Sequence, residues 1–492
     1  MPKVTLINIR ISNTVFMPLG IMYLASVLEN NGFKVQLIDS FTYETEEKII
    51  KQISDFDPGY IGFSIVTPSY QKAKKLRQGL EAVFPDKVYF AGGIHPTILP
   101  EKTLGDLDMD FVVRGEGEYS LLEALAALES KAGLDNIKGV IFKDDNGVIK
   151  HNPERELINN LDEVPFPQRH SLDIEKYFIP PGYIRSYFLD RIANVLTSRG
   201  CPMRCTFCCS HLLFSRRVRK RSIGNVMQEV DLLIKDYRVN GFYFSDETFT
   251  IDYGWTLDFC KEIKKRGLPW GCATRIDTVD DSLLEQMKRS GCIQVDLGVE
   301  SGSNRILKII KKNMTDQEIV NTFSLFKKNR LRTFATFMIG NPTETKEDII
   351  KTRDMVKLIK PSFALFSWFT PFPGTEAYEW MIKDKNINPD KLDTGYDFIT
   401  SDKPMVNITD MSMQELVSSR SLLQRSVFLD NYFSMASFHN LKFICDAFLC
   451  SLLAPLKLLK ALRISFKRGN LDHLVYFIFY NYQKFKFKKI VQ

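Results

Sequence analysis

At about 150 residues per domain, 492 residues divide into about three domains, which excludes a single small module. A hydrophobic fraction of 44% with 25% charged residues excludes both global disorder and a bundle of membrane-spanning helices. The net charge of +7 is concentrated at one end. Residues 451–492 hold nine Lys or Arg against one acid, Asp472, which leaves the first 450 residues with 57 basic and 58 acidic side chains. The opening residues from Met1 to Ile9 read as a strand and lack the charged start, long apolar run and cleavage site of a signal peptide, so the chain is expected in the cytoplasm. Nine cysteines, four of them within residues 201–209, are too few and too clustered for a disulfide framework and suit a metal site in a reducing compartment.

In chain order, strand candidates at Val4–Ile9, Lys34–Ile38, Tyr60–Ser64, Val88–Ala91 and Phe111–Arg114 alternate with helical stretches that begin near Leu19, Glu44, Tyr70 and Tyr119. This predicts an α/β protein whose residues 1–150 form a doubly wound, Rossmann-like parallel sheet, with a cofactor crevice beyond the strand C-termini. Residues 151–190, with Pro153, Pro165, Pro167, Pro180 and Pro181, read as a linker that packs across two domains. Six further strands are expected at Ala193–Thr197, Gly241–Phe244, Gly271–Thr274, Gln294–Val299, Arg332–Ile339 and Phe363–Phe369. They predict a partial (β/α)6 TIM-type barrel over residues 191–380, with active-site residues just after each strand. Residues 381–492 are expected to be mainly helical. Met411–Arg463 has helical period, but Asp446, Pro455, Lys457 and Lys460 interrupt its most apolar part, so a surface-lying amphipathic element fits better than a spanning helix. The stretch Val475–Lys489 mixes Tyr476, Phe477, Phe479, Tyr480, Tyr482, Phe485 and Phe487 with Lys484, Lys486, Lys488 and Lys489, as at a membrane interface.

The strongest motif is Cys201-Pro-Met-Arg-Cys205-Thr-Phe-Cys208, three thiols directly after the first barrel strand. Thiolates select iron-sulfur clusters or zinc, and three protein ligands on a four-iron cluster leave one iron open. Structural zinc is the alternative. It needs a fourth ligand, for which Cys209 is badly placed and His211 is the other local candidate. This motif, at this place in the fold, resembles the radical S-adenosylmethionine (SAM) superfamily. The resemblance implies a [4Fe-4S] cluster on Cys201, Cys205 and Cys208 whose open iron chelates SAM and cleaves it reductively to a 5'-deoxyadenosyl radical. It also implies that Phe207 packs near adenine, and that Asp246, Arg275, Glu300, Ser301 and Ile339, at the strand ends, contact SAM. Physically, Glu300 can accept both ribose hydroxyls and Arg275 can pair with the SAM carboxylate. An ordinary polar cap on the barrel rim remains the alternative for Asp246 and Glu247.

The N-terminal half carries Pro18-Leu19-Gly20, Gly62-Phe-Ser64, Ala91-Gly92-Gly93-Ile-His95 and Arg114-Gly115-Glu116-Gly117-Glu118. These resemble the cobalamin-binding domain that precedes the barrel in B12-dependent radical SAM enzymes. The resemblance implies that Gly20, Ser64, Gly92, Gly93, His95 and Glu116 meet cobalamin. After Asp39 the chain reads Ser-Phe-Thr-Tyr, so the Asp-x-His-x-x-Gly element that elsewhere supplies a lower axial histidine is absent. His95 is either a substitute ligand or a loop histidine bonded to backbone.

Together these resemblances imply a methyltransferase acting on an unactivated carbon, served by a low-potential electron donor; a tail docked on a bilayer would make a hydrophobic small molecule or lipid the natural substrate. The alternatives are an oxidative cyclase or carbon-carbon bond-forming enzyme without methyl transfer, and a non-catalytic membrane-associated iron-sulfur protein. The basic tail prefers Lys over Arg, which fits anionic membrane better than nucleic acid. A helical lid with a solvated charged end is its other reading.

Overall fold

The apolar runs of the N-terminal half pair side by side in a computed structural model, which describes residues 1–11, 16–40, 45–178, 184, 191–385, 387–388, 401–427 and isolated positions between 445 and 478. Strands β1 (Lys3–Asn8), β2 (Lys34–Asp39), β3 (Tyr60–Ser64), β4 (Val88–Gly92) and β5 (Phe111–Val113) lie parallel in the order β2-β1-β3-β4-β5. Helices α1 (Leu19–Asn30), α2 (Glu46–Phe56), α3 (Tyr70–Glu81), α4 (Ile94–Ile98), α5 (Pro100–Asp106) and α6 (Glu118–Glu129) connect them. Val4 and Leu6 share a core with α1 and α6, whereas Ile7 and Ile9 share one with Ile49, Ile53 and Tyr70 of α2 and α3. Burial on both faces is why these strands are near-continuous apolar runs. Strand order reverses at β1, where a doubly wound sheet opens its ligand crevice.

The sheet continues past the expected last strand. β6 (Val140–Lys143) and β7 (Ile149–His151) add an antiparallel hairpin beside β5. Its turn is built by Asp144, whose Oδ1 accepts the backbone N–H groups of Asn146 and Val148, with Gly147 at φ 76°. An Asn-Gly pair between two apolar runs is the sequence signal for such a turn.

The segment after β7 packs back on the N-terminal sheet and reaches the second half through Arg169, which pairs with Glu229 at 2.7 Å. Phe166 accepts from Ser26 Oγ at 2.6 Å, Gln168 N donates to the Met22 carbonyl, and Tyr177 OH donates to Asp39 Oδ2 at 2.6 Å. Arg10 holds that same carboxylate in a buried ion pair.

In the second half β8 (Ile192–Val195) is followed by a two-stranded ribbon, β9 (Ser198–Arg199) with β10 (Arg219–Lys220), and by α7 (Ser210–Phe214) between them. β11 (Gly241–Phe244), β12 (Trp270–Thr274), β13 (Cys292–Glu300), β14 (Arg332–Ile339) and β15 (Phe363–Trp368) complete a six-stranded parallel sheet with β8 and β15 at its edges. α8 (Ile223–Tyr237), α9 (Tyr253–Ile263), α10 (Asp281–Arg289), α11 (Asn304–Ile309), α12 (Asp316–Lys328) and α13 (Lys346–Ile359) link these strands, as a partial barrel requires. Val295, Leu297, Val299, Ala335 and Phe337 are buried in the main apolar core, while the alternating Asp296, Gly298, Thr336 and Met338 stay partly exposed. α14 (Glu376–Lys385) follows, and α15 (Met413–Ser426) buries Leu416 and Leu423 in the same core. Part of the C-terminal region is therefore packed on the barrel. The aromatic-lysine stretch lies outside the described residues apart from isolated positions.

One tight contact sets the floor of the N-terminal sheet. A Cβ on Gly62 would sit 2.3 Å from the Phe90 ring, which is held by stacking on Phe111 at 5.0 Å. Gly62→Ala is therefore expected to cost about 1–3 kcal/mol in urea unfolding. Gly224→Ala, on α8 with nothing within 4 Å of its Cβ, is expected to cost nothing.

Candidate active site

The cysteine loop is clamped at both ends. Gly200 turns the chain at φ +93°, and a Cβ there would lie 2.3 Å from the Arg217 carbonyl, so only glycine fits. Asp246 is fully committed to the approach: its Oδ1 accepts the Thr197 and Ser198 N–H groups at 2.7 and 3.1 Å, and its other oxygen accepts Thr197 Oγ1. Downstream, Thr206 N donates to the Ile310 carbonyl at 3.1 Å and the Thr206 carbonyl accepts from Ala377 N at 3.0 Å.

Between these clamps Cys201, Cys205 and Cys208 are half-buried and unbridged. Cys201 Sγ lies 3.7 Å from Thr248 Oγ1, and Arg275 Nη1 lies 3.9 Å from Cys205 Sγ. Burial pushes the Cys208 thiol up to about 11. A backbone bond at Ser210 pulls it back, and the nearby Cys209, Cys205 and Cys201 add to the rise. Neighbouring soft donors fit an iron-sulfur cluster, whose positive charge makes them thiolates. The zinc alternative needs donors converging on one ion, and among the described residues no three do so. His211 instead hydrogen-bonds the Cys208 carbonyl through Nδ1 at 3.0 Å.

The expected SAM contacts divide. Phe207 meets Phe369 edge-on at 6.3 Å, and Phe369 N donates to the Ile339 carbonyl, so these three residues form one apolar shelf; the Ile339 side chain itself is buried in the main core. Arg275 does not present a free guanidinium: it grips Asp277 through Nε and Nη2 at 2.8 and 2.7 Å and donates to the Lys312 carbonyl. Glu300 sits at a register shift on β13 with φ 70° and pairs with Lys312 Nζ at 3.1 Å. Arg275 and Lys312 thus link Cys205 to Glu300. Lys312 joins the candidate site through these contacts, and nothing in Lys311-Lys312-Asn313 marks it in the sequence. Ser301 is turned inward: its Oγ lies 3.3 Å from Thr352 Oγ1 and accepts from Ser303 N. The carboxylate left available at the second strand end is Glu247 rather than Asp246. Glu247 Oε1 accepts from Ser210 Oγ at 3.2 Å, and its Oε2 is buried with no partner.

A cleft, open at its mouth, lies beyond the C-terminal ends of β3, β4 and β5. Gly20, Ser64, Gly92, Gly93 and Glu116 line it on one side, and Arg199, Leu213 and Phe214, which flank the cysteine loop, line it on the other. The residues present fit a large flat cofactor. Gly20 and Gly115 have nothing within 4 Å of where a Cβ would stand, so the absent side chains leave the space open. His95 is not among the residues lining this cleft. Its ring lies tilted against Tyr70 at 4.2 Å and meets Thr67 Oγ1 through Nδ1, and burial pushes it down to about 4. Glu116 lines the cleft but has no oxygen to spare. It accepts from Arg199 Nη1 at 2.8 Å, Arg219 Nη1 at 2.7 Å and Ile158 N at 2.9 Å, while Arg199 also pairs with Glu118 at 2.6 Å. Burial raises the Glu116 carboxyl, but Arg219 and Arg199 outweigh it and hold it below the usual range.

Two measurements check this electrostatic frame. Glu116→Ala leaves two buried guanidinium groups short of a partner and is expected to cost about 3–5 kcal/mol in unfolding. Glu344 binds the Gly340 and Asn341 N–H groups at the end of β14, and burial pushes it up to about 7. A carboxyl raised on folding stabilises most at low pH, so its contribution is full below about 4.5 and disappears as pH rises through 7. Glu344→Gln is expected to flatten that part of the stability-pH curve.

Comparison with known proteins agrees with this geometry. The Radical SAM superfamily model matches residues 195–356, and the B12 binding domain model matches residues 7–125. An uncharacterised methyltransferase of Pyrococcus horikoshii is 34% identical over 380 residues, 76% of this chain and 80% of the relative. The anaerobic magnesium-protoporphyrin IX monomethyl ester cyclase of Rubrivivax gelatinosus is 31% identical over 74% of this chain and 66% of its own. The solved structure of the cobalamin-dependent S-adenosylmethionine radical enzyme OxsB, with aqua-cobalamin bound, shares the fold at TM-score 0.71 and 19% identity, covering 100% of this chain and 80% of that one. The chain belongs to the radical SAM superfamily and, through its B12 binding domain, is a cobalamin-dependent radical SAM enzyme that uses a [4Fe-4S] cluster, SAM and cobalamin.

Proposed function

We propose that the enzyme methylates an unactivated carbon of a hydrophobic small molecule or lipid. The observation that carries this reading is the shared cleft: glycines of the N-terminal sheet face Leu213 and Phe214, which directly follow the cysteine loop. Bound there, cluster and SAM supply reductive sulfonium cleavage and cobalamin supplies a methyl carrier, while the protein positions and shields them.

Each role rests on a placement already described. Cys201, Cys205 and Cys208 hold the cluster, and Arg275, 3.9 Å from Cys205 Sγ, sets a positive charge beside it. Glu300, oriented by Lys312, accepts the ribose hydroxyls, and the Phe207–Phe369 shelf carries adenine. Glu247 Oε2, buried without a partner, accepts the SAM ammonium. Gly20, Ser64, Gly92 and Gly93 allow the corrin close to the backbone. In this reading residues 1–150 hold cobalamin, 191–380 hold SAM, 151–190 join them and 381–492 serve the substrate side.

A peripheral position on the membrane belongs to the same reading. Phe448, Leu449, Leu452, Leu456 and Leu459 are helical and between 47% and 82% exposed. They stand beside the basic run, and no helix among the described residues is long and apolar enough to cross a membrane. Ring closure without methyl transfer is the second reading, favoured by the 31% identity to a cyclase.

The reading is tested on anaerobically reconstituted full-length protein. Wild type is expected to release 5'-deoxyadenosine under strong reductant, and Cys205→Ala to release none. A product heavier by one methyl supports transfer, an unchanged carbon count supports cyclisation, and a wild type that releases no 5'-deoxyadenosine removes both. Flotation with anionic vesicles is expected to capture wild type and lose the Leu452→Asp, Leu456→Asp double variant; equal flotation would remove the membrane contact.

A further inference from the structure

Reductive cleavage needs an electron delivered at the cysteine loop, and the surface over that loop is cationic. Arg204, between two ligand positions, is exposed, as are Arg216 and Arg217 just after α7. All three stand against the loop. Arg216 Nη1 donates to the Met203 carbonyl, and the Arg217 backbone closes on Gly200. Among the described residues, Arg217 Nη1 reaches only the neutral Asn159 Oδ1, at 3.0 Å.

The same stretch shows what a structural arginine looks like in this protein. Arg199, Arg219 and Arg221 are buried and each is paired with Glu116, Glu118 or Glu229. Arg204, Arg216 and Arg217 make no ion pair among the described residues. Lys311, on the far side of the loop, is neutralised by Glu376 at 2.6 Å. Because the first 450 residues carry almost balanced charge, this local excess is not a fragment of a generally basic surface. A patch of one sign on a neutral body orients an approaching partner as well as attracting it.

We infer that this collar is the docking face for an acidic, low-potential, one-electron carrier protein. The inference rests on the radical SAM reading of Cys201, Cys205 and Cys208. One electron passes from the carrier's reduced centre to the cluster. The carrier is oxidised by one electron, the cluster is reduced by one, and no bond forms or breaks in that step. Arginine suits the task because it stays charged at every working pH and grips carboxylates bidentately, with a smaller hydration cost than lysine. The placement puts the partner's carboxylates beside the loop that holds the cluster ligands, with the corrin cleft left to its own ligand.

Stopped-flow reduction of the reconstituted full-length holoprotein tests this, with a reduced acidic flavin-containing carrier as donor and cluster bleaching as readout. For wild type the second-order rate is expected to fall steeply as salt is raised, as for steered association. At low salt Arg204→Glu with Arg217→Glu is expected to slow that rate about tenfold or more, with the curves converging in high salt. Iron content and the extent of reduction by excess dithionite are expected to be unchanged, which separates a lost docking face from a lost cluster. Should Arg204→Glu disturb the loop, Arg217→Glu alone and the wild-type salt slope still decide. A salt-independent wild-type rate, or variants as fast as wild type at low salt, would overturn the inference. So would variants that keep the carrier rate but lose affinity for an anionic substrate. A holoprotein that dithionite cannot reduce would instead overturn the radical SAM reading.

Discussion

The arrangement depends on one buried charge cluster, in which Arg199 and Arg219 share Glu116 and Arg199 also holds Glu118. Its members come from the cleft wall of the N-terminal sheet and from the ribbon that carries the cysteine loop, so it fixes the distance between two cofactor sites. Buried ions cost several kcal/mol each to desolvate and are tolerated only when every charge is matched. Here the match requires both halves of the chain, which makes correct docking of the halves the condition for removing these charges from water. Apolar packing alone would hold the halves together with less geometric selectivity, because the hydrophobic effect is non-directional. A second buried set, Arg169 and Arg221 on Glu229, repeats the device between the linker and α8.

Much of this was legible in the residues. The parallel strands were visible because burial on both faces makes them runs of apolar residues, and their limits agree with the structure to within a residue or two at most ends. The cysteine loop was legible because thiols at that spacing have few other uses. The cleft glycines were legible for a similar reason, since a backbone without side chains invites close approach. What escaped were the pairings. Arg275, Glu116 and Asp246 look like ligand groups in sequence, yet Asp277, Arg199 with Arg219, and Thr197 with Ser198 occupy them. Which charge meets which is decided by contacts between residues tens of positions apart, and composition carries no trace of that. The β6–β7 hairpin escaped for a different reason. Its strands are four and three residues long, too short for a clear apolar period, although Asn146-Gly147 is a turn signal.

Glu300 shows how local strain serves the site. A non-glycine residue at φ 70° at the end of a strand costs on the order of 1 kcal/mol. The register shift against β14 and the ion pair with Lys312 keep it there. Gly298, two residues earlier, leaves room for this pair: a Cβ there would lie 2.3 Å from Glu300 Oε1 and 2.9 Å from Lys312 Nζ and would push those side-chain ends aside. The Glu300 carboxylate is thus held in one place by its own neighbours.

The helix after the barrel has a consequence for how the protein can be handled. Arg420 on α15 reaches across to the Phe366 carbonyl on the outermost strand and lies over the Trp368 ring, and the Trp368 indole donates to the Ser401 carbonyl. The open seam of the barrel is therefore hemmed by a piece of chain that no catalytic motif marks. Trimming the protein back to its two recognisable modules would bare that seam as a sticky strand border, prone to self-association in a test tube. The folded edge of the barrel therefore includes α15, which runs to Ser426.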